Sequence, residues 1–473
     1  MKEGYMRRYS CLMLFAIMLL IPPAGYAEHR IEMPFSGIQP QDRSQETTET
    51  SRDPSDETLR TPGGIEAPAG TITLGQALSL VLMRNPELAA FSREVSSKEA
   101  SALQANLLPN PGIGLEVENV GGQGIFRGLN AAEITLQFSQ LIELGSKRSN
   151  RSKLASFETS LAEWDYERKR LDVLLAATIA FVDVLAAQEH LHLNEESLHL
   201  SKQVMYTVRE RVRAGKASPL EETRTSVVLS SSKIKLEKAR RTLSMARQHL
   251  ASMWSSTSPV FEKAAGDLHV IGAIPSLNQL NSRIKQNPQM ARWIIEMERF
   301  ETVLDLEKAN GIPDLTVGGG IRRWEATKDH AFVFGVSMSL PLFDRNQGTI
   351  QKARSELEKA SEERRASDVR IRTAMSGAYE SLISAYAESM SLRNDVLPAA
   401  ENVFESSREG YRYGKFSFLD VLDAERTLID VRGQHIEALA AFHRATALMK
   451  WLLGEPMDEI VHPMEPEYQG EVE

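Results

Sequence analysis

Arg213-Ala214-Gly215-Lys216-Ala217-Ser218-Pro219-Leu220-Glu221 returns farther along the chain as Arg412-Tyr413-Gly414-Lys415-Phe416-Ser417-Phe418-Leu419-Asp420. In both, glycine suits the left-handed residue just past a helix end, and serine suits the N-cap of the next helix. An acid follows three residues after the serine. Glu221 is placed to complete a capping box, and Asp420 is a shorter stand-in. Pro219 falls at the first helical position, where its missing N–H is harmless. Each stretch therefore reads as the tip of a helical hairpin. Two further pairs keep the same register: Asn85-Pro86-Glu87-Leu88 with Asn287-Pro288-Gln289-Met290, and Ala105-Asn106-Leu107-Leu108-Pro109-Asn110 with Ala309-Asn310-Gly311-Ile312-Pro313-Asp314. The offsets are 202, 204 and, for the tips, 199 residues. A unit this long exceeds a solenoid repeat of roughly 20 to 50 residues. The reading is a duplicated half, 71–270 and 271–455, built into one pseudo-symmetric architecture.

Outward from the tips, Ser146 to Arg213 and Asn346 to Arg412 hold no strong breaker except Pro398, which predicts a kink near one end. About 66 residues of helix extend about 100 Å. In the second stretch, Ile350, Ala353, Leu357, Ala360, Arg364, Ser367, Ile371, Ala374 and Ala378 recur at alternating threes and fours, the rhythm of coiled-coil packing. Earlier in each half, Thr73-Leu74-Gly75-Gln76 and the two Asn-Pro pairs mark shorter helices, the second of them ending near Leu108-Pro109. Between short and long helices lie period-two segments. Ile113, Leu115 and Val117 alternate with Gly114, Glu116 and Glu118, and Ile134, Leu136 and Phe138 with Thr135, Gln137 and Ser139. Leu315 and Val317, then Phe332, Phe334, Val336, Met338 and Leu340, repeat the pattern. Each half reads helix, helix, strand, strand, long helix, long helix. Leu171 to Ala187 is apolar enough to raise a membrane helix, but Asp172 and Asp183 interrupt it at about 3 kcal/mol per charge.

Residues 1–27 have the form of an export signal: Lys2, Arg7 and Arg8, an apolar run from Cys11 to Ile21, and Gly25 and Ala27 ahead of a cleavage site. Removing that segment's net +2 (three cations, and Glu3) takes the formal charge from −9 to −11, which argues against nucleic-acid binding. Cys11 is the one cysteine and opens the apolar run, where a lipid-bearing cysteine would follow it, so the processed chain is expected to use neither disulfides nor thiol chemistry. Residues 28–70, rich in Glu, Thr, Ser, Pro and Asp, are expected to be a disordered linker, and 456–473 a flexible tail.

Candidate chemistry is sparse. Arg213, Gly215, Lys216 and Ser218, with Arg412, Gly414, Lys415 and Ser417, are either well-made turns or turns that also dock a partner. Tyr411, Asp420 and Asp423 form an acidic and aromatic group; Asp420 and Asp423, three apart, share a helix face. They are either an ordinary solvated face or, where copies meet around an axis, a ring that needs cations or basic partners. Carboxylates about 8 Å apart repel by about 2 kcal/mol at an effective dielectric near 20. His190, His192 and His199 lie on a solvated stretch of helix without metal-ligand spacing. Gly318-Gly319-Gly320 sits in a strand and lacks the lysine and hydroxyl of a phosphate loop. No catalytic set, cofactor site or metal site is read here.

Taken together, the motifs resemble the outer-membrane factors of the TolC family over about Thr71 to Gly454. Asn85-Pro86-Glu87-Leu88, Leu107-Leu108-Pro109-Asn110-Pro111, Glu116-Val117-Glu118-Asn119 and Gln140-Leu141-Ile142-Glu143-Leu144-Gly145-Ser146-Lys147-Arg148 are similar to the CzcC-like subtype of heavy-metal efflux systems. Tyr411-Arg412-Tyr413-Gly414 and Leu419-Asp420-Val421-Leu422-Asp423-Ala424 carry the broader likeness. The resemblance implies a mostly α protein with a membrane β-barrel. Three chains would give four strands each to a twelve-stranded barrel in the bacterial outer membrane, continued by a helical tunnel in the periplasm. Four strands from one chain cannot close a barrel, and an open edge cannot face lipid, so the strands themselves also call for partners. The resemblance further implies a gate at Tyr411, Asp420 and Asp423, adaptor docking at the tips, and an inner-membrane RND pump as energy source. Phe416 stands where some relatives carry a basic residue that latches the gate, which points the latch towards Lys415 or Arg426. The competing readings are a channel for drug efflux or type I protein secretion, and a pore-less periplasmic coiled-coil scaffold.

Overall fold

The computed structural model describes residues 69–284 and 287–457, all within the unit Gly63–Glu473. The expected signal, the linker up to residue 68 and the tail from residue 458 lie outside the described residues. Strand β1 (Gly70–Thr73) leads into α1 (Leu74–Arg84) and α2 (Pro86–Ala105). Strands β2 (Gly112–Glu118) and β3 (Glu133–Ile142) follow, then the long helix α3 (Lys147–Arg213), its return α4 (Pro219–Ser252) and strand β4 (Phe261–Ala265). The second repeat runs α5 (Leu277–Arg283), α6 (Pro288–Asn310), β5 (Leu315–Trp324), β6 (His330–Met338), α7 (Gln347–Ser391), a π turn (Leu392–Val396), α8 (Leu397–Arg412) and α9 (Phe418–Leu453). The expected order recurs in both halves. Helix α2 stops at Ala105, three residues before the predicted end.

The Asn-Pro pairs tie each repeat's beginning to its end. Asn85 caps α2 by accepting from the Glu87 and Leu88 amides, and its own amide donates to the Met253 carbonyl, just past α4, at 2.8 Å. Asn287 does the same: it accepts from the Gln289 amide and donates to the Leu452 carbonyl near the end of α9 at 2.8 Å. Both asparagines are buried. A side chain that satisfies one helix's first amides and another helix's last carbonyls answers the orphan groups at both ends.

The four main strands form one antiparallel sheet in the order β2-β3-β5-β6. Register places Ile113 opposite Phe138, Leu115 opposite Leu136, Leu136 opposite Ile321, and Ile321 opposite Phe332, so the apolar rows of all four strands share one face. That face is bare: Ile113, Leu115, Phe332, Val336 and, at 83%, Phe334 are exposed. On the other face Arg322 donates to Thr135 at 2.8 Å and pairs with Glu118 and Glu133, each at 3.1 Å. The glycine run lets β5 approach β3: a Cβ on Gly320 would lie 2.3 Å from the Leu136 carbonyl oxygen. Packing accounts for that run. A second, two-stranded sheet pairs β1 with β4 in parallel. It has no counterpart in the expected layout, because its two strands are short and lie far apart in sequence.

The main core gathers Ile72, Leu80, Phe181, Leu250, Phe261 and Leu439 from β1, α1, α3, α4, β4 and α9. The apolar window of α3 is largely buried inside this core; its Asp172 accepts from the Trp451 indole at 2.9 Å, and its Asp183 pairs with Arg444 at 2.7 Å. The window is thus a core helix whose two charges have partners. Along α7 the buried seam is Ala353, Ala360, Ser367, Ile371, Met375 and Ala378. Arg364 and Ala374, expected in it, are exposed; Met375 takes the place because the helix drifts past the 3.5-residue rhythm. The kink expected at Pro398 takes the form of the π turn ending at Val396, which absorbs the bond that proline cannot make.

Candidate gate and docking tips

Both hairpin tips close as predicted at the backbone. Gly215 and Gly414 adopt φ of 68° and 77°. The Lys216 amide donates to the Arg211 carbonyl at 2.8 Å and the Lys415 amide to the Gly410 carbonyl at 2.7 Å, which satisfies the last carbonyls of α3 and α8. Arg213, Lys216, Arg412 and Lys415 are exposed around the turns.

The caps differ from expectation. Ser417 and Asp420 form the complete capping box: Asp420 accepts from the Ser417 amide and hydroxyl, both at 2.8 Å, while its own amide donates to Ser417 at 3.3 Å. Ser218 only accepts from the Leu220 amide at 3.2 Å, and Glu221 does not reach back to it. Glu221 turns instead to the other hairpin and accepts from the Tyr411 hydroxyl at 3.0 Å. A glutamate at this position can span to a neighbouring helix; the shorter aspartate stays on its own turn.

Tyr411 is therefore embedded. It is only 6% exposed, its ring lies 5.8 Å from that of Phe418, and the Arg211 guanidinium sits 4.3 Å above it. Arg211 also donates to the Tyr411 backbone carbonyl. Burial, then the bond to Glu221, push the phenol up to about 12, so it stays neutral and donating. Asp420 and Asp423 are exposed on the opposite side of α9's first turns. The Ser417 hydroxyl and amide hold the Asp420 carboxyl below its ordinary range. The three expected gate residues thus fall at one tip, but Tyr411 is packed into the protomer while the two aspartates face outward.

Of the two residues expected to latch the gate, Lys415 and Arg426, the second pairs within one chain with Asp430 on its own helix at 3.8 Å. Arg211 with Glu221 holds Tyr411. Phe416 has a steric role: its ring lies where a Cβ on Gly410 would be, 2.1 Å from that position. Arg211 and Gly410 occupy equivalent places in the two tips, 199 residues apart. That divergence was the available signal, since a duplicated position that changes from arginine to glycine has changed its job.

The remaining candidates disperse. His190 meets Glu437 at 2.8 Å, His192 meets Glu196 at 3.2 Å, and His199 meets Gln203 at 2.9 Å. Among the described residues no group of three or more His, Cys, Asp or Glu side chains is placed to hold a metal ion.

An antiparallel sheet with a bare apolar face, carried on paired helical hairpins of unusual length, defines a build known from solved outer-membrane channels. A crystal structure of CusC superposes with a TM-score of 0.71 at 17% identity over 81% of this chain and 92% of that one. The outer membrane protein VceC from Vibrio cholerae gives 0.67 at 16% identity over 81% of this chain and 96% of that one. The chain belongs to the outer membrane efflux protein family, whose profile matches residues 77–256 and 280–455. Among its relatives, the cobalt-zinc-cadmium resistance protein CzcC of Cupriavidus metallidurans is 33% identical over 386 residues, covering 82% of this chain and 91% of that protein. The nickel and cobalt resistance protein CnrC of the same organism is 26% identical over 61% of this chain and 67% of its own length.

Proposed function

We propose that this chain is one third of an outer-membrane exit duct for heavy-metal cations. The observation that carries the reading is the sheet. Its outer strands β2 and β6 have no partner within the described residues, and one whole face exposes large apolar side chains. In water such a face and such edges promote aggregation; in lipid the edges must be paired. In the order β2-β3-β5-β6, β6 runs antiparallel to β2, so β6 of one copy can continue the antiparallel ladder with β2 of the next. Three copies supply twelve strands, an even number within the range of bacterial barrels. Strands of 9 and 10 residues match the thickness of a bilayer when tilted. The polar face with Arg322, Glu118 and Glu133 then lines a wet lumen.

The long hairpins prolong that lumen towards the periplasm, and their tips meet a periplasmic adaptor through Arg213, Lys216, Arg412 and Lys415. A separate inner-membrane RND pump supplies the energy, and the chain is a conduit that carries out no catalysis. The cargo assignment rests on the likeness to the cobalt, zinc, cadmium and nickel resistance proteins. Deleting the gene is expected to sensitise cells to zinc, cobalt, cadmium, copper or silver. Unchanged tolerance to all five, with new sensitivity to detergents or antibiotics, reassigns the duct to organic cargo.

In the gate reading, Tyr411 fixes α9 while Asp420 and Asp423 crowd the axis with negative charge. Asp420→Asn with Asp423→Asn keeps the cap's hydrogen-bonding shape and removes the charge. Single-channel conductance of the trimer is expected to rise; unaltered conductance removes both carboxylates from the gate.

A further inference from the structure

Fourteen residues past the Tyr411 ring, the same helical core encloses a carboxyl group. Glu425 of α9 is 5% exposed, among Val421, Ala424, Leu428, Val208 and Phe404. Its Oε1 lies 3.2 Å from the Ser201 hydroxyl of α3, which lies 3.0 Å from the Ser232 hydroxyl of α4. Ser232 in turn donates to the Val228 carbonyl at 3.1 Å. Both serines are buried, and the second carboxyl oxygen, Oε2, is buried with no hydrogen-bond partner.

Counting hydrogens favours the protonated state. The run from carboxyl to Ser201 to Ser232 to the Val228 carbonyl contains three contacts, and two serine hydroxyls bring two hydrogens. With Ser232 donating to the carbonyl and Ser201 to Glu425 Oε1, the contact between the two serines is left without a hydrogen. A protonated carboxyl that donates to Ser201 frees that serine's hydrogen for Ser232, and all three contacts are then filled. An ionised Glu425 would leave one contact without a hydrogen and a buried anionic oxygen without a donor, which is costly in a low-dielectric core.

We propose that Glu425 is a proton-operated clasp. Protonated, it joins α9, and with it the acidic face of the tip, to α3 and α4; losing the proton releases α9 and loosens the tip. The charged and titratable surroundings are few. Lys235 of α4 is the cation whose field reaches the carboxyl. Helix α3 turns Ser197, Val204 and Val208 towards this core, α7 turns Ser389, the π turn Leu392, and α8 Phe404, Ser407 and the neutral phenol of Tyr411. Burial lifts the carboxyl above its ordinary value of 4.5, outweighing the lowering by Ser201 and Lys235. A raised acid stabilises the closed tip fully below that ordinary value and loses the contribution as pH rises through the raised one.

The use of the clasp rests on the channel reading; its protonation does not, and the experiment separates them. In full-length trimers reconstituted in bilayers, conductance is expected to rise several-fold between about pH 5 and about pH 8. Glu425→Gln, whose amide donates to Ser201 as the acid does, is expected to stay in the low state across that range. A pH step that survives in E425Q overturns the clasp. Infrared spectra of the same protein provide the second readout. A protonated-carboxyl band is expected at the acid end, absent in E425Q, lost on titration, and moved to higher frequency in Ser201→Ala, where its hydrogen-bond acceptor is gone. No such band overturns the proposal, including in a preparation that never conducts; a present band without conduction upholds the proton on Glu425 and sinks the channel reading.

Discussion

Asn85 and Asn287 are equivalent residues that perform one task, while Glu221 and Asp420 are equivalent residues that perform two. At the anchors, each asparagine caps the second helix of its repeat and holds the end of that repeat's last helix. At the tips, Asp420 closes its own cap, whereas Glu221 leaves Ser218 half-capped and bonds Tyr411 of the opposite hairpin. The same divergence turned the position shared by Arg211 and Gly410 into a cation over Tyr411 in one repeat and a bare seat for Phe416 in the other. Duplication supplied two equal scaffolds. Asymmetric contacts between their tips then made the pair more than a doubled turn.

The largest expected effect lies at the anchors and should be equal in the two halves. Asn85→Ala and Asn287→Ala each remove a buried cap and strand a carbonyl at the far helix end, at a cost of about 2 kcal/mol. Denaturant unfolding of the purified protein checks this, and a difference between the two larger than either effect breaks the symmetry argument. Next is Gly410→Ala. In a helix this change alone stabilises by about 1 kcal/mol, but the new methyl group displaces the Phe416 ring. Amide exchange at the tip should therefore speed up in Gly410→Ala and slow down when Phe416→Ala is already present. A gain in both backgrounds would show that Phe416 does not rest on Gly410.

A smaller effect belongs to the bond between hairpins. Tyr411→Phe and Glu221→Gln, combined in a double-mutant cycle on tip exchange, should couple by about 1 kcal/mol. Additive effects would reduce the contact to a surface accident. The smallest is the cap at Asp420. Its carboxyl is held below its ordinary value of 3.8 by Ser417, so its contribution is present above that value and is lost as pH falls through the lowered one. Exchange at residues 417–420 should accelerate there in the native protein and show no such step in Asp420→Asn.

Much of this was legible beforehand, because the signals were local. Gly215, Gly414, Ser218 and Ser417 announce turns by backbone need, and alternation from Ile113 to Leu340 announces four strands by period. That Tyr411, Asp420 and Asp423 lie near one tip was also readable from spacing. Its wiring was not. Arg211 reaches Tyr411 across 200 residues of sequence, and only the folded hairpins bring them together. No local signal marks Glu425; its burial depends on how α3, α4 and α9 meet. The β1–β4 pair escaped for the same reason, with four and five residues too short to carry a period.

The account turns on whether β6 of one copy pairs with β2 of the next and closes after three. In a Cys11→Ser background, single cysteines scanned along β2 and β6 in the same chain, oxidised in outer-membrane fractions, test it directly. The expected products at matched positions are covalent dimers and trimers with nothing larger, converging on a closed trimer. Ladders that continue past three copies, or monomers alone at every pair of positions, would contradict it.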